Sequence, residues 1–398
     1  MIYDKSLEFN SYSSVILDIK TFAEVSEVLE NILMSDIKIS PRKIDKQVIF
    51  YGAGSLGKMA KNFFDYLNIP FLYFVDKNSD LLKSDADWSG IDIVKPNEVK
   101  EVDKKNCLLI VCIVTTQLIS LRDELKADGW EDIAFFYDVC EAYSDCYPLS
   151  NGWFLNKPSD DELDDIKKVF SALDNISRMH YLQFIAWRRL RIELLLKDIQ
   201  IINNRYFIPE VTDILHENEV FVDCGAHIGS VTKKFVEVIN GKYNKIYAIE
   251  ADKDNFAALE NNLKNIPNTI TIKCALGENN GEEKFYQGFD YASKLNNFGN
   301  VTVKVATLDS FNIPATFIKI HLEGGELSAL RGALNTIKKY RPILGVTIYH
   351  TADGVSKIPL YLMNYVQDYK YYMRLDSWGG TGAVFYAIPE GRYKKEVL

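Results

Sequence analysis

Two short stretches of this 398-residue chain carry residue types and spacings that could hold a ligand. In VFVDCGAHIGS, residues 220–230, an apolar run ends in Asp223 and passes at once into Gly225, Ala226 and Gly229. A strand that stops in a glycine turn and feeds a helix can present backbone amides and the positive end of the helix dipole to a polar or anionic group. Glycine suits such a turn because the chain must bend tightly and approach the ligand without a Cβ in the way. Twenty-one residues after Gly229, the run KIYAIE ends in Glu250, an acid placed to accept hydrogen bonds from two ribose hydroxyls. Strand, glycine turn, helix, strand and acid make a cradle for adenosine. Nicotinamide dinucleotides, flavins and S-adenosylmethionine all use that layout.

The second stretch is VIFYGAGSLG, residues 48–57, where Gly52, Gly54 and Gly57 fit G-x-G-x-x-G and Asp76 ends the next strand nineteen residues later. By spacing alone it is the better dinucleotide fingerprint of the two. Its surroundings depart from a full dehydrogenase: the unit is only about 95 residues, and TTQLISLRDEL follows its third strand with no substrate domain behind it. Thr115 and Thr116 stand at the end of that strand, where a ligand would lie.

The elements that must position these turns follow from periodicity and punctuation. Residues 1–45 read as a helical lead-in, with apolar residues at helical spacing in TFAEVSEVLENILMSDI and Pro41 at its end. Residues 46–150 alternate strands and helices, the rhythm of a parallel sheet with crossover helices. Near residue 150 the composition turns to turn formers and acids, and 151–204 reads as a helical connector opened by a capping box at Ser159 and Glu162. Residues 205–398 form a second strand-helix series, whose tail, YKYYMRLDS and GGTGAVFYAIP, predicts an antiparallel pair joined by a glycine-rich turn. The fold class is therefore α/β with two Rossmann-like domains.

Composition bounds the function classes. A chain of 398 residues exceeds the roughly 250–300 at which one core stops growing. Its 47% apolar and 25% charged residues are those of an ordinary globular protein. A net charge of -9 argues against nucleic acid, and Arg188, Arg189 and Arg191 read as solvated helix surface. No apolar run approaches the roughly 20 residues of a membrane span, and the N-terminus lacks the layout of a secretory signal, so the cytoplasm is the expected location. The six cysteines show no zinc spacing and read as small core residues. A homo-oligomer is left open.

Several blocks together carry a resemblance. VFVDCGAHIGSVT, IYAIEADKDNFAALENNL, CALG, TLDSF, FIKIHLEGGELSALRGA and RPILGVTIYH occur in the order in which they stand in FkbM-type S-adenosylmethionine-dependent methyltransferases, which residues 205–390 resemble. The resemblance implies a class I methyltransferase sheet of seven strands, parallel except for an antiparallel last strand, with S-adenosylmethionine as cofactor. It implies methyl transfer to oxygen, often of sugars or polyketides, in bacterial surface-glycan pathways. Carried over, Asp223, Gly225, Ala226 and Gly229 would surround the donor's amino-acid part, with His227 at the ligand edge and Glu250 on the ribose. Ala275 and Leu276 would border the adenine, and Asp309, Glu323 and Glu326 would close the site. Tyr349 and His350 match a tyrosine-histidine pair of relatives.

One position departs from that pattern: relatives commonly read IDVEG where this chain reads IHLEG, so His321 replaces an acid. Histidine can take up a proton at neutral pH, and an alcohol acceptor needs a base, which makes His321 and His350 the base candidates beside Glu323. Each histidine ends a predicted strand. No cluster of oxygen ligands stands out, and no metal is expected. Tyr286, Phe289, Tyr291 and Trp378 could stack on a sugar face. The N-terminal unit is similar to small Rossmann-like domains of sugar-modifying enzymes, which implies a nucleotide, a nucleotide-sugar or unreacted NAD held by Gly52, Gly54, Gly57, Asp76 and Thr115. Two rival expectations are an NAD-dependent sugar oxidoreductase using that turn and a non-catalytic binding or scaffold protein.

Overall fold

The computed structural model describes residues 10–17, 21–36, 39–82, 84–147, 149, 151–196, 200–201, 203–288 and 292–393. They fall into two compact units. One takes residues 1–157, 182–199 and 377–381, and the other takes 158–181, 200–376 and 382–398.

The N-terminal unit holds β1 (Ser14–Leu17), β2 (Val48–Tyr51), β3 (Phe74–Val75), β4 (Ile93–Val94), β5 (Leu108–Val111), β6 (Asp132–Phe135) and β7 (Glu193–Leu196). Five of them form an all-parallel sheet in the order β4-β3-β2-β5-β6, while β1 and β7 pair in parallel by themselves. Strands of a parallel sheet are covered on both faces and read as unbroken apolar runs, as VIFY and LLIV do; all eight residues are buried. The lead-in contributes the strand β1 as well as the expected helix, Phe22–Met34. The connector forms helices Asp160–Ala172 and Asn175–Leu190, the first with its capping box in place, and then ends in the strand β7.

The arginines of the connector are not a solvated face. Arg188, Arg189 and Arg191 are 1%, 8% and 1% exposed. Arg188 donates to the carbonyls of Gly380, Asn151 and Trp153 at 2.9–3.0 Å and lies 4.0 Å from the Trp153 ring. Arg191 pairs with Asp138 at 2.8 Å, and Arg189 reaches the carbonyls of Leu33 and Ser35. Five planar donors let a guanidinium satisfy several carbonyls that have no ladder partner, which is why burial is tolerated here.

The C-terminal unit is built on a seven-stranded sheet of β8 (Val220–Cys224), β9 (Lys245–Glu250), β10 (Thr269–Lys273), β15 (Phe317–Ile320), β16 (Ile343–Thr347), β17 (Tyr369–Leu375) and β18 (Ala383–Pro389), in the order β10-β9-β8-β15-β16-β18-β17. All neighbours are parallel except at β18, which runs antiparallel to both β16 and β17. The α/β class and the antiparallel last strand are thus as expected, with the last strand inserted inside the sheet instead of added at its edge. Phe221 of β8 stacks on Phe235 of the helix Ser230–Val238 at 4.4 Å, and Phe317 packs on both, which seats that helix on the strand it follows. A second sheet of β11 (Ala275–Leu276), β12 (Gly281–Tyr286), β13 (Lys294–Leu295) and β14 (Val301–Ala306) has the order β11-β14-β12-β13.

Five of the six cysteines are buried and free, and Cys146 is exposed. Among the described residues no helix is long and apolar enough to cross a membrane.

His180, 2% exposed, accepts a hydrogen bond from the Leu375 amide at Nδ1, 3.3 Å away. Burial, aided by the charge of Arg374, pulls its pKa down to about 3. Below its ordinary pKa near 6.5 the unfolded chain binds a proton there that the folded chain refuses. Stability is therefore whole above that pH and falls as the pH drops toward 3, by up to about 1.4 kcal/mol per pH unit. In thermal melts between about pH 7 and about pH 5, His180→Asn, which keeps an acceptor and cannot titrate, should decline less steeply than the natural protein. Equal slopes would remove His180 as the cause.

Candidate active site

The order of the larger sheet reverses between β8 and β15: from β8 the chain steps outward to β9 and β10, and from β15 it steps the other way. Open α/β sheets bind ligands at the carboxyl ends of the strands flanking such a point. Here those ends are Cys224, running into Gly225, and Ile320, running into His321. The two turns touch: a Cβ on Gly225, whose φ is +76°, would lie 2.0 Å from the His321 carbonyl oxygen. Only glycine lets both chains pass there.

A cavity of about 200 Å³, open at its mouth, lies at this point. Gly225, Ala226, His227, Glu250, Ala275, Leu276, His321 and Glu323 all line it. Of the other residues singled out from sequence, Asp223, Gly229, Asp309, Glu326 and His350 do not line it. Asp223 is fully buried; its Oδ1 meets Lys319 Nζ at 2.8 Å as a close ion pair off hydrogen-bond geometry, and its Oδ2 accepts from Thr232 at 2.7 Å. It fixes the turn from behind. Asp309 caps the helix Leu334–Tyr340 by accepting from the Asn335 and Thr336 amides at 3.1 and 2.7 Å. Tyr286 is half-buried on β12 and does not border the cavity, Trp378 belongs to the other unit, and Phe289 and Tyr291 lie outside the described residues.

The turn's own amides are mostly spent. Those of Gly225 and Ala226 donate to the Ile249 carbonyl at 3.0 and 2.9 Å, that of Gly229 to Ala226, and that of His227 to Glu250 Oε2 at 2.8 Å. The bare amides expected from the glycine spacing are thus engaged at these four positions, because the turn must hold its own shape. Glu250 also accepts from the Ala251 and Asp252 amides through Oε1, each at 2.9 Å, which leaves an unused lone pair on Oε2. Burial raises its pKa, and the backbone donors partly counter that.

The smaller sheet forms one wall. Leu276, Phe285 and Leu295 come from three of its strands. Asp252 ties this wall down: Oδ1 caps the helix Lys253–Leu263 through the Asp254 and Asn255 amides, while Oδ2 accepts from the Gly288 amide and the Ser293 hydroxyl, each at 2.8 Å.

Polar groups gather where β15 and β16 end. His321 shares a hydrogen bond with the Tyr206 hydroxyl at Nδ1 (2.8 Å) and with Glu323 Oε1 at Nε2 (3.0 Å). Glu323 is set by a left-handed residue, its own φ being +50°, followed by Gly324 at +107°. His350, fully buried, bonds Glu326 Oε1 through Nδ1 at 2.6 Å and brings Nε2 to 3.3 Å from Glu323 Oε1. Glu326 also accepts from the Leu322 and Gly324 amides and from Thr347, at 3.0, 3.0 and 2.8 Å. Burial pulls His321 down to about 4 against the pull of Glu323. Burial acts the same way on His350, but Glu323 and Glu326 outweigh it and raise His350 to about 9. For Glu323 burial would raise the carboxyl, yet His350 and the hydrogen bonds of both histidines hold it well below the usual carboxylate range.

Sequence reasoning missed Arg205, Tyr206, Lys294 and Lys319, all of which line the cavity. Lys319 carried a signal in retrospect: a lysine inside the apolar run FIKI must find an acid, and the register sets it opposite Asp223.

The N-terminal glycine turn is built alike. Asp76 Oδ2 accepts from the Ala53 amide at 2.8 Å, and Gly52, φ +101°, passes 3.0 Å (as a Cβ) from the Cys112 carbonyl. The crevice near the end of β5, with a volume of only about 10 Å³, is lined by Val111, Ile113, Val114, Asp138, Asn151 and Arg191 among others. It does not include Gly52, Gly54, Gly57, Asp76 or Thr115, and Thr115 and Thr116 are exposed.

Residues 223–373 match the model of the methyltransferase FkbM domain. None of the curated proteins matches the sequence. Among solved structures the chain is similar to the methyltransferase FkbM of Methylobacillus flagellatus KT, at 18% identity and a TM-score of 0.58, over 92% of this chain and 93% of that one. It is also similar to precorrin-6y C5,15-methyltransferase of Geobacter metallireducens GS-15, at 16% identity and a TM-score of 0.30, over 48% of this chain and 94% of that one. The first likeness is one of fold, and it spans both units.

Proposed function

We propose that this chain is an S-adenosylmethionine-dependent O-methyltransferase acting on a sugar or nucleotide-sugar hydroxyl, in bacterial surface-glycan biosynthesis. The observation that carries the reading is the cavity at the switch point of a sheet whose residues 223–373 match the methyltransferase FkbM domain. Its lining suits the donor: Glu250 keeps a lone pair for a ribose hydroxyl, and Ala275, Leu276 and Phe285 offer an apolar slot for adenine. When bound, the donor supplies a sulfonium methyl that an acceptor oxygen takes in line, with the S–C electron pair left on a neutral thioether and the hydroxyl proton released. The chain's part is to orient and to receive that proton. Arg205, Lys294, His321 and Glu323 supply donors and acceptors for a polyhydroxylated acceptor at the cavity, and of the two candidate bases it is His321 that borders it. The N-terminal unit would assist by recognising the acceptor's nucleotide or sugar.

Calorimetry tests this. Titration with S-adenosylmethionine, and separately with S-adenosylhomocysteine, should show one site per chain, and Glu250→Ala should weaken both by about 10- to 100-fold through loss of a charged hydrogen-bond acceptor. A folded protein that takes up neither compound would end the proposal, and heat from NAD alone would favour an oxidoreductase.

A further inference from the structure

Three side chains around the ends of β15 and β16 bring atoms of metal-ligating type close together. His321 Nε2, Glu323 Oε1 and His350 Nε2 lie within 4.8 Å of one another, and Glu323 Oε1 is 3.0 Å from the first and 3.3 Å from the second. Donors bound about 2.1 Å from a common cation stand roughly 3.0–3.4 Å apart in octahedral or tetrahedral geometry. Both spacings to Glu323 fall in that interval.

The outer atoms are arranged to suit. A ligating histidine characteristically gives its other nitrogen to a carboxylate or similar partner, which fixes the tautomer and aims the ring. His350 does so through Nδ1 to Glu326, itself held by two amides and a hydroxyl, and His321 does so through Nδ1 to Tyr206. His350 Nε2 is buried and, although 3.3 Å from Glu323, makes no hydrogen bond of good direction. A divalent ion would satisfy an inward nitrogen in that condition by displacing the proton held there. The expectation of no metal rested on the lack of an oxygen-ligand cluster and of zinc spacing along the sequence, whereas His350 meets His321 and Glu323 only in the fold.

We propose that His321, Glu323 and His350 form a binding site for one divalent transition-metal ion. Two imidazoles and a carboxylate favour zinc, iron, cobalt or manganese over magnesium or calcium. Three protein ligands leave coordination positions vacant, as catalytic metal sites do. Because His321 and Glu323 border the cavity, those positions would face an acceptor oxygen, and activating its hydroxyl would fall to the bound ion in place of His321, whose Nε2 the ion occupies; this role, unlike the binding itself, rests on the methyl-transfer reading.

The test uses the full chain, stripped with a chelator and titrated with Co²⁺ while its visible d–d absorption is followed, without any methyl donor. One cobalt per chain is expected, with bands of histidine ligation. Glu323→Gln, nearly isosteric, should weaken uptake by about 100-fold or more, and Glu326→Gln, which removes the charge behind His350 without touching a ligand atom, by about 10- to 100-fold. His350→Gln serves as a second ligand variant, and circular dichroism establishes that each variant is folded. No uptake by folded natural protein, or uptake unchanged in both folded ligand variants, overturns the site. Donor calorimetry is read separately, so metal without donor binding would remove the methyl-transfer reading and leave this one standing.

Discussion

Gly225→Ala should cost about 3–5 kcal/mol of stability and abolish donor uptake. Two penalties coincide there. The backbone sits at φ +76°, where an L side chain is strained, and the new Cβ would be 2.0 Å from the carbonyl oxygen of His321. The obstacle is backbone of the neighbouring strand end, which cannot rotate aside, so β8 and β15 must part at the point where the cavity opens. The natural comparison is Gly54→Ala: that glycine has ordinary negative φ, -80°, and nothing within 4 Å of a Cβ, so a change of less than about 1 kcal/mol is expected. Denaturant midpoints and donor calorimetry on both variants decide the matter. Similar losses in the two would mean that close approach is not what Gly225 provides.

Glu326→Ala should be nearly as damaging, at about 3–5 kcal/mol, because it strips a buried cation of one of its two carboxylates. His350, with no side-chain exposure, would keep only Glu323, while the Leu322 and Gly324 amides and the Thr347 hydroxyl would lose their acceptor. Unmet buried donors are the expensive part of such a deletion. Glu326→Gln retains one of the two acceptor oxygens and should recover part of the loss. If the alanine and glutamine variants melt together with the natural protein, the carboxylate is not holding this corner of the sheet.

Much of this architecture was legible in the sequence because local and global signals agree. Apolar runs of four to six residues ending in a glycine turn mark β2 and β8, and acids at the next strand ends, Asp76 and Glu250, do reach back to the turns. What escaped notice has physical causes. The smaller sheet is made of short strands, of which only VTVKVA alternates apolar and polar residues, and Ala275 and Leu276 follow β10 closely but pair with this sheet. Asp223 and Asp309 stand at strand and turn ends as ligand-binding acids do, yet satisfy the protein's own lysine and amides. The three connector arginines carry no pattern that separates a solvated face from a set of buried donors; only the stray carbonyls around them decide it. The meeting of His321, Glu323 and His350 depends on β15 and β16 being neighbours, which no local window reveals.

The buried guanidinium groups bear on ancestry. Asp138 and the carbonyls of residues 151 to 153 are met by side chains of residues 188 and 191, and Arg188 also holds the carbonyl of Gly380. A recombination that cut the gene after residue 150 would carry away an anion without its counter-ion and peptide groups without their donors. The first glycine-turn sheet is therefore not a cassette that could be shuffled alone: it would have to move with residues 182–199 and 377–381, which complete its unit.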